Sequence, residues 1–249
     1  MIESSLVDRL FSADKLAVAR AISSVENQDS LHLELLNAIQ KKLGRAYRVG
    51  ITGPPGAGKS TLVSKLAKSL NDMGKRIAVI AVDPTSPFTG GALLGDRVRM
   101  MELSSRDGIF VRSMATRGSL GGLSKTTQLA ADVLDAAGFD YVFMETVGVG
   151  QSELDIVEAA DTTIVVLTPE SGDSVQAMKA GLLEVAHIVV VNKGDLAGAD
   201  ATLRDLRDWC PIVFRTIATT GEGIPELVAA IAEHQRLHDV QGLSTRLKR

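Results

Sequence analysis

A glycine-rich segment in the first quarter of the chain has the residue types that hold a polyphosphate. Residues 53–60 read Gly-Pro-Pro-Gly-Ala-Gly-Lys-Ser, the phosphate-binding loop pattern of two glycines separated by four residues and followed by Lys and Ser. Glycines let backbone N–H groups form a nest for phosphate oxygens at the start of a helix, Lys59 would reach the β- and γ-phosphates, and Ser60 would bind Mg²⁺. The alternative is a glycine-rich turn of chance composition. The candidate nucleotide-binding residues of this loop are Gly53, Pro55, Gly56, Ala57, Gly58, Lys59 and Ser60.

A second motif, Asn192-Lys193-Gly194-Asp195, predicts which base the nucleotide carries. The Asp195 carboxylate can accept hydrogen bonds from the ring N1–H and the exocyclic amine of guanine, whereas adenine offers no such donor pair. Asp195 would therefore select GTP over ATP, while the Lys193 stem covers the base and Asn192 braces the neighbouring loops. An ordinary turn is the alternative for these four residues. Further along, the backbone N–H of Ala218 would meet the guanine carbonyl, and a plain strand end is the alternative there.

Three acidic residues are candidates for holding the metal that accompanies the triphosphate. Asp83 follows one predicted strand, Asp96 lies in the loop after it, and Glu145 ends another predicted strand. Mg²⁺ prefers octahedral oxygen ligands and keeps several waters, so it needs few direct carboxylates. The alternative for each acid is an N-cap or a surface charge. We expect a metal site of Ser60, Asp83, Asp96 and Glu145, with Lys59, Asp83 and Glu145 as catalytic residues.

The segment that follows Glu145 bears on hydrolysis. Glu145-Thr146-Val147-Gly148 is similar to the strand-end acid and glycine of GTPases, with Glu in place of the usual Asp, and the Gly148 N–H would contact the γ-phosphate. A glutamine directly after that glycine would orient the attacking water, but Val149 stands there and Gln151 comes two places later. We therefore expect slow turnover by the isolated chain, with a partner or a rearrangement completing the site.

The elements that must position these motifs are short β-rich runs in alternation with helical segments. Strands are predicted at 47–52, 77–82, 109–112, 140–145, 162–168, 187–192 and 212–217, and helices at 59–73, 122–137, 173–184 and 225–238. This alternation predicts an α/β fold with a mostly parallel, doubly wound sheet, in which ligands bind at the carboxyl ends of the strands. Residues 1–44 predict an N-terminal helical extension, with Asp14 as an N-cap and Gly44 as a stop. A nucleotide-binding domain at 45–240 and a short tail at 241–249 would follow.

Composition excludes several other classes of protein. The 249 residues include one cysteine and four histidines, which rules out a disulfide framework and argues against a multi-ligand zinc site. A net charge of −3 gives no electrostatic case for nucleic acid as the main partner. The aliphatic runs are too short to cross a bilayer and the N-terminus lacks the pattern of a secretory signal, so we expect a soluble, cytoplasmic protein. His234 and His238 are expected on an ordinary solvated helix face.

Five blocks of sequence together resemble one family, the methylmalonyl-CoA mutase-associated GTPases (MeaB, also ArgK), in the dimer-forming branch of the P-loop GTPases. The blocks are the phosphate loop and residues 82–86, 89–97, 145–153 and 192–195. The sequence ETVGVGQSE at 145–153 is highly specific. The resemblance implies a P-loop NTPase fold and a GTP-binding, GTP-hydrolysing chaperone. Such a protein gates cofactor loading, and protects or reactivates a cobalamin-dependent acyl-CoA mutase. From charge and from the short apolar runs, we expect neither nucleic acid nor membrane as a partner.

Individual residues carry over from that resemblance. It implies that Lys59, Ser60 and Thr61 serve the phosphates and Mg²⁺, and that Asp83, Asp96 and Glu145 are the metal and switch acids. Residues 169–179, with Gly172, Asp173 and Gln176, resemble the mobile element that relays the nucleotide state to the mutase.

The chain departs from the family pattern in three ways. The stretch between Asp195 and the strand predicted at 212–217 is short, and Ile217 stands where relatives usually carry Ser. The chain also stops soon after the helix predicted at 225–238, whereas relatives continue into helical arms that join two subunits. A homodimer would then need another surface, and the partner could be a less common mutase, such as one for isobutyryl-CoA or 2-hydroxyisobutyryl-CoA.

Two other functions fit a P-loop fold. A small-molecule kinase would transfer the γ-phosphate to an acceptor, but such kinases seldom need the guanine selection that Asp195 provides. A nickel metallochaperone GTPase would need Cys and His ligands near the switch segments, and the one cysteine, Cys210, is remote from them in sequence.

Overall fold

A seven-stranded parallel sheet forms the centre of the molecule, seen in a computed structural model. The structure describes residues 4–84, 101–116, 122–146, 156, 158–170, 182–207, 209–210 and 212–240. The strands are β1 Tyr47–Thr52, β2 Ile77–Pro84, β3 Ile109–Thr116, β4 Tyr141–Thr146, β5 Thr162–Leu167, β6 Ile188–Val191 and β7 Val213–Arg215. Their order is β3-β2-β4-β1-β5-β6-β7, and every neighbouring pair is parallel. The predicted parallel, doubly wound sheet is confirmed.

Helices cover both faces of this sheet. They are α1 Ser4–Phe11, α2 Lys15–Asn27, α3 His32–Ile39, α4 Lys59–Asp72, α5 Gly122–Ala136, α6 Ala199–Arg207 and α7 Ile224–Val240. The side chains of β2 alternate between two cores: Val79 packs with α4 and α7, whereas Ala78 and Ile80 pack with α2, α3 and α5. A third core lies between α6 and the strands β5 and β6. Because both faces are covered, residues 77–82, 164–167 and 188–191 of the inner strands are continuously apolar, as the sequence predicts.

The N-terminal helices share an apolar core with the sheet. Asp14 caps α2 as predicted, since its carboxylate accepts a hydrogen bond from the Ala17 N–H at 2.8 Å. The third helix ends at Ile39, earlier than the predicted stop at Gly44, because a short 3₁₀ turn intervenes. The buried Asp135 carboxylate then accepts from the backbone N–H groups of residues 44, 45 and 46 at 2.7, 3.0 and 2.9 Å. These bonds fasten the end of the extension to α5.

Two further predicted boundaries differ from the structure. The strand predicted at 212–217 is limited to β7, and Ile217 makes an isolated antiparallel bridge with Glu222. The chain turns back there, since the Ile217 N–H donates to the Glu222 carbonyl at 3.0 Å. Residues 182–185 form a turn rather than the end of the helix predicted at 173–184, and residues 173–181 lie outside the described residues.

Other predicted boundaries fall within a few residues of the observed ones. The exception is β3, which extends to Thr116, because β2 pairs with it as far as Pro84. None of the helices in the described ranges combines the length and the apolar character that a bilayer crossing requires.

Candidate functional site

The loop between β1 and α4 can be built only with glycine at two positions. Gly53 has a φ of 136°, and a Cβ there would lie 2.0 Å from the Val166 carbonyl oxygen of β5. Gly58 has a φ of 89°, and a Cβ there would lie 2.3 Å from Asn192 Nδ2. Gly56 also has a positive φ, 78°, but the space around it is open. The two ends of the loop are therefore fixed by close packing, and its middle by backbone conformation alone.

The first turn of α4 carries the positive charge of this loop. Lys59 is 5% exposed, and its Nζ donates hydrogen bonds to the carbonyls of Gly53 and Pro54 at 2.8 and 2.9 Å. The N-cap residue is Gly58, which has no side chain to satisfy the first N–H groups of the helix. A buried ammonium and a helix N-terminus together favour an anion at this place.

A hydroxyl and a carboxylate meet beside the loop, at the carboxyl ends of β1 and β4. The Ser60 hydroxyl donates a hydrogen bond of 2.6 Å to Glu145 Oε1, and the Glu145 side chain is buried. Close by, the hydroxyl of Thr146 donates to the Thr52 hydroxyl at 3.1 Å. Hard oxygen donors of this kind suit Mg²⁺, so the residues present fit the metal expected with a nucleotide.

The other predicted metal ligands are only partly described. Asp83 lies near the end of β2, two positions after the residue that pairs with Glu145 of β4, so the sheet brings the two backbones to neighbouring strand ends. The Asp83 side chain lies outside the described residues, as does the whole of Asp96. Gly148 and Gln151, which bear on hydrolysis, also lie outside them.

The side chain of Asn192 joins three loops. It is 2% exposed, and its Nδ2 donates to the Ala57 carbonyl of the phosphate loop at 2.8 Å. Its Oδ1 accepts from the Thr216 hydroxyl at 3.1 Å and from the Ala218 N–H at 3.0 Å. One amide therefore connects the loops after β1, β6 and β7. The N–H of Ala218 would have to share or leave this bond to meet a guanine carbonyl.

The rest of the second motif is a tight turn. Lys193 has a φ of 55°, and Gly194 donates its N–H to the Thr216 carbonyl at 2.9 Å. The Asp195 side chain is exposed. The predicted loop residues 53–61, Glu145, the 192–195 motif and Ala218 are thus brought to the carboxyl edge of the sheet. The sequence did not point to two side chains that contact this motif. They are the Thr216 hydroxyl, which donates to Asn192, and Arg215, which lies against Gly194.

The histidines at the opposite edge of the sheet are not on a simple solvated face. His234 Nδ1 lies 2.8 Å from both the Tyr47 hydroxyl and the Thr162 hydroxyl, and its ring centre lies 4.7 Å from that of His187. Burial, reinforced by the neighbouring histidines, lowers the pKa of His234, and burial together with the charge of His238 lowers the pKa of His187. Within the described ranges, no group of three or more His, Cys, Asp or Glu side chains is arranged to hold a metal ion.

Sequence and structure comparisons find relatives along nearly the whole chain. The model of the family described as Methylmalonyl Co-A mutase-associated GTPase MeaB matches residues 18–249. A protein of Pyrococcus horikoshii that carries the provisional name of a GTPase is 52% identical over 250 residues, which cover 95% of this chain and 79% of that protein. GTPase ArgK of Escherichia coli K12 is 38% identical over 245 residues, which cover 91% of this chain and 74% of that protein. A solved structure described as an LAO/AO transport system kinase has a TM-score of 0.78 and 29% identity, covering 99% of this chain and 80% of that one.

Proposed function

We propose that this chain, which belongs to the methylmalonyl-CoA mutase-associated GTPase family MeaB, binds GTP across the loops that follow β1 and β6. As a member of that family it is a GTP-hydrolysing enzyme, and the relatives from Pyrococcus horikoshii and Escherichia coli carry GTPase names. The observation that carries the proposal is the Asn192 side chain, which joins the phosphate loop to the base motif. That junction lies at the edge of a parallel sheet where ligands bind.

The phosphate loop would hold the triphosphate through its N–H groups and Lys59. The Lys59 ammonium now lies against two loop carbonyls, Gly53 and Pro54, so its charge is already inside the loop when the nucleotide arrives. It would exchange these carbonyls for β- and γ-phosphate oxygens, which form stronger, charge-assisted bonds. Ser60 and Thr61, in the first turn of α4, would add contacts to the phosphates and to Mg²⁺.

Ser60, Glu145, Asp83 and Asp96 would hold Mg²⁺. When bound, the ion would neutralise the charge that develops on the β- and γ-phosphate oxygens. Glu145 orients the Ser60 hydroxyl through their 2.6 Å hydrogen bond, and its burial keeps that oxygen pair in one arrangement. Gly148 would contact the γ-phosphate. The residue that positions the attacking water is not among these, so slow turnover by the isolated chain stays our prediction.

The output of this site would be conformational and directed at a partner enzyme. The family is associated with methylmalonyl-CoA mutase by its description. We propose that GTP binding and hydrolysis by this chain gate cofactor loading of a cobalamin-dependent acyl-CoA mutase and protect or reactivate it. Residues 169–179 would relay the nucleotide state: their first residues, Pro169 and Glu170, come one residue after the carboxyl end of β5, with Thr168 between them. A cytoplasmic location and a homodimer remain predictions.

Base selection gives the sharpest test of the GTP site. Asp195→Asn replaces an acceptor by a donor, so it should move the preference of the protein from guanine to xanthine nucleotides. Calorimetry with Mg²⁺ and each of GTP, XTP and ATP measures this, and Asp205→Asn on the exposed face of α6 is the matched control. Unchanged GTP affinity in Asp195→Asn, or equal binding of ATP by the unaltered chain, would refute the assignment.

Release of phosphate separates the GTPase from a kinase. A GTPase liberates free phosphate in the absence of any acceptor, whereas a small-molecule kinase needs one. A single-turnover measurement on the purified chain therefore tests the reaction type and the predicted slow rate together. Fast hydrolysis by the chain alone contradicts the need for a partner.

A further inference from the structure

The side chain of Arg215 lies across the loop that follows β6, residues 192–198, here called the base loop. A Cβ added at Gly194 would lie 2.5 Å from Arg215 Cγ, 2.6 Å from Nε and 3.1 Å from Cδ. Real side chains do not approach each other that closely. The stem of Arg215 therefore covers the Cα atom of Gly194 and occupies the space that any other residue at position 194 would need.

Gly194 is required for this contact and not for its backbone conformation. The φ angle of Gly194 is not positive, so an L-residue could adopt its backbone conformation. Its neighbour Lys193 is the strained one, with a φ of 55° in the left-handed region that non-glycine residues rarely adopt. A strained backbone persists only where the surroundings hold it. The Arg215 stem is one of those surroundings.

Arg215 reaches both ends of the base loop. Its backbone pairs in register with Val191, the last residue of β6, and the next carbonyl, of Thr216, accepts the Gly194 N–H at 2.9 Å. Its Nη1 lies 3.7 Å from Asp200 Oδ1, in the first turn of α6. The Asp200 side chain is 83% exposed, so this ion pair contributes little. Packing of the stem on Gly194 is the main interaction.

We propose that Arg215 is a positioning residue for base recognition. By covering Gly194 it holds the next residue, Asp195, in the one orientation that accepts both donors of guanine. This inference rests on the proposed function, because it concerns the same base site. Hypoxanthine keeps the ring N1–H of guanine but lacks the exocyclic amine. The ratio of GTP to ITP affinity therefore reports how well Asp195 is held for its second hydrogen bond.

The experiment compares GTP and ITP binding in the full chain and three variants. The unaltered chain should prefer GTP by about tenfold or more, since tenfold is the lower end of what one hydrogen bond to a charged group contributes. Arg215→Ala should lower that preference at least threefold and raise KM for GTP, while kcat changes less than twofold. Arg215→Lys keeps a stem over Gly194 and should restore the preference. Arg236→Ala, which removes another exposed and paired arginine on α7, is the matched control and should change nothing.

A second comparison uses the other side of the contact. Gly194→Ala alone forces its methyl group into the Arg215 stem and should raise the Kd for GTP and lower Tm. In the Arg215→Ala background the same change should cost less, because the space is then open. Equal costs in both backgrounds, an unchanged GTP/ITP ratio in Arg215→Ala, or no rescue by Arg215→Lys each overturn the inference while leaving the proposed function intact. A chain that does not bind GTP refutes the proposed function, and with it the inference.

Discussion

Replacing Asn192 by alanine is the most demanding perturbation of this site, because one side chain connects three loops. The change removes three hydrogen bonds: one donated to the Ala57 carbonyl and two accepted from Thr216 and Ala218. All three partner residues are buried. Their polar atoms would therefore be left without partners in a region that water reaches poorly.

The expected cost follows from the number of stranded groups. A buried polar group that loses its partner costs about 1–3 kcal/mol, and some relaxation of the loops recovers part of it, so we expect about 3 kcal/mol in the free energy of unfolding. For a protein of this size, that corresponds to a fall in Tm of about 6–12 °C. GTP affinity should fall as well, since the phosphate loop and the base loop lose their fixed spacing.

Thermal and denaturant unfolding of the nucleotide-free chain measure this cost directly. Thr216→Val removes one of the three bonds and should cost about 1 kcal/mol. Asn71→Ala is the matched control: Asn71 donates to two carbonyls, of Lys75 and Asp107, at an exposed site where water can replace it. If the Tm of Asn192→Ala lies within 2 °C of the Tm of Asn71→Ala and GTP affinity is retained, Asn192 does not join the loops as described.

Two further predictions concern the phosphate loop and the opposite edge of the sheet. Gly53→Ala places a methyl group against the Val166 carbonyl at 2.0 Å and should abolish GTP binding with a loss of Tm, whereas Gly56→Ala, with open space, should cost only about 1–2 kcal/mol of backbone strain in denaturant unfolding. Equal losses would show that packing at Gly53 is unimportant. Burial lowers the pKa of His187 and His234 in the folded chain below the value of about 6.5 that histidine has in an unfolded chain. As the pH falls through the higher of these two pKa values, the unfolded state therefore binds protons before the folded state does. Unfolding free energy should therefore fall as the pH drops from 7.5 to 5.5, and His234→Gln should flatten that dependence. A profile with the same slope in both proteins would contradict the assignment.

Sequence patterns were sufficient to locate most of the helices and strands and the two loops at the carboxyl edge of the sheet, whose proposed chemistry stays a prediction. The glycine spacing at 53–58 predicts the backbone conformation of the loop, and the structure shows that Gly53 and Gly58 are sterically required. Runs rich in β-branched and apolar residues located all seven strands of the sheet, most clearly in β2, β5 and β6, where cover on both faces favours continuous aliphatic stretches. The strand predicted at 212–217 was too long, since the bridge from Ile217 to Glu222 that ends it depends on a turn back toward the helix.

The sequence by itself determined what lies within a few residues of each motif: local backbone sterics, hydrophobic period, and the residue types proposed to recognise phosphate and guanine. Only the tertiary structure decided which distant groups meet. Asn192 contacts a carbonyl 135 residues away, His234 meets Tyr47 across 187 residues, and Arg215 lies over Gly194 from a different strand. Such contacts depend on the order of strands in the sheet and on the placement of the helices. The local sequence around these residues predicts neither, because both are set by packing between segments that are far apart along the chain.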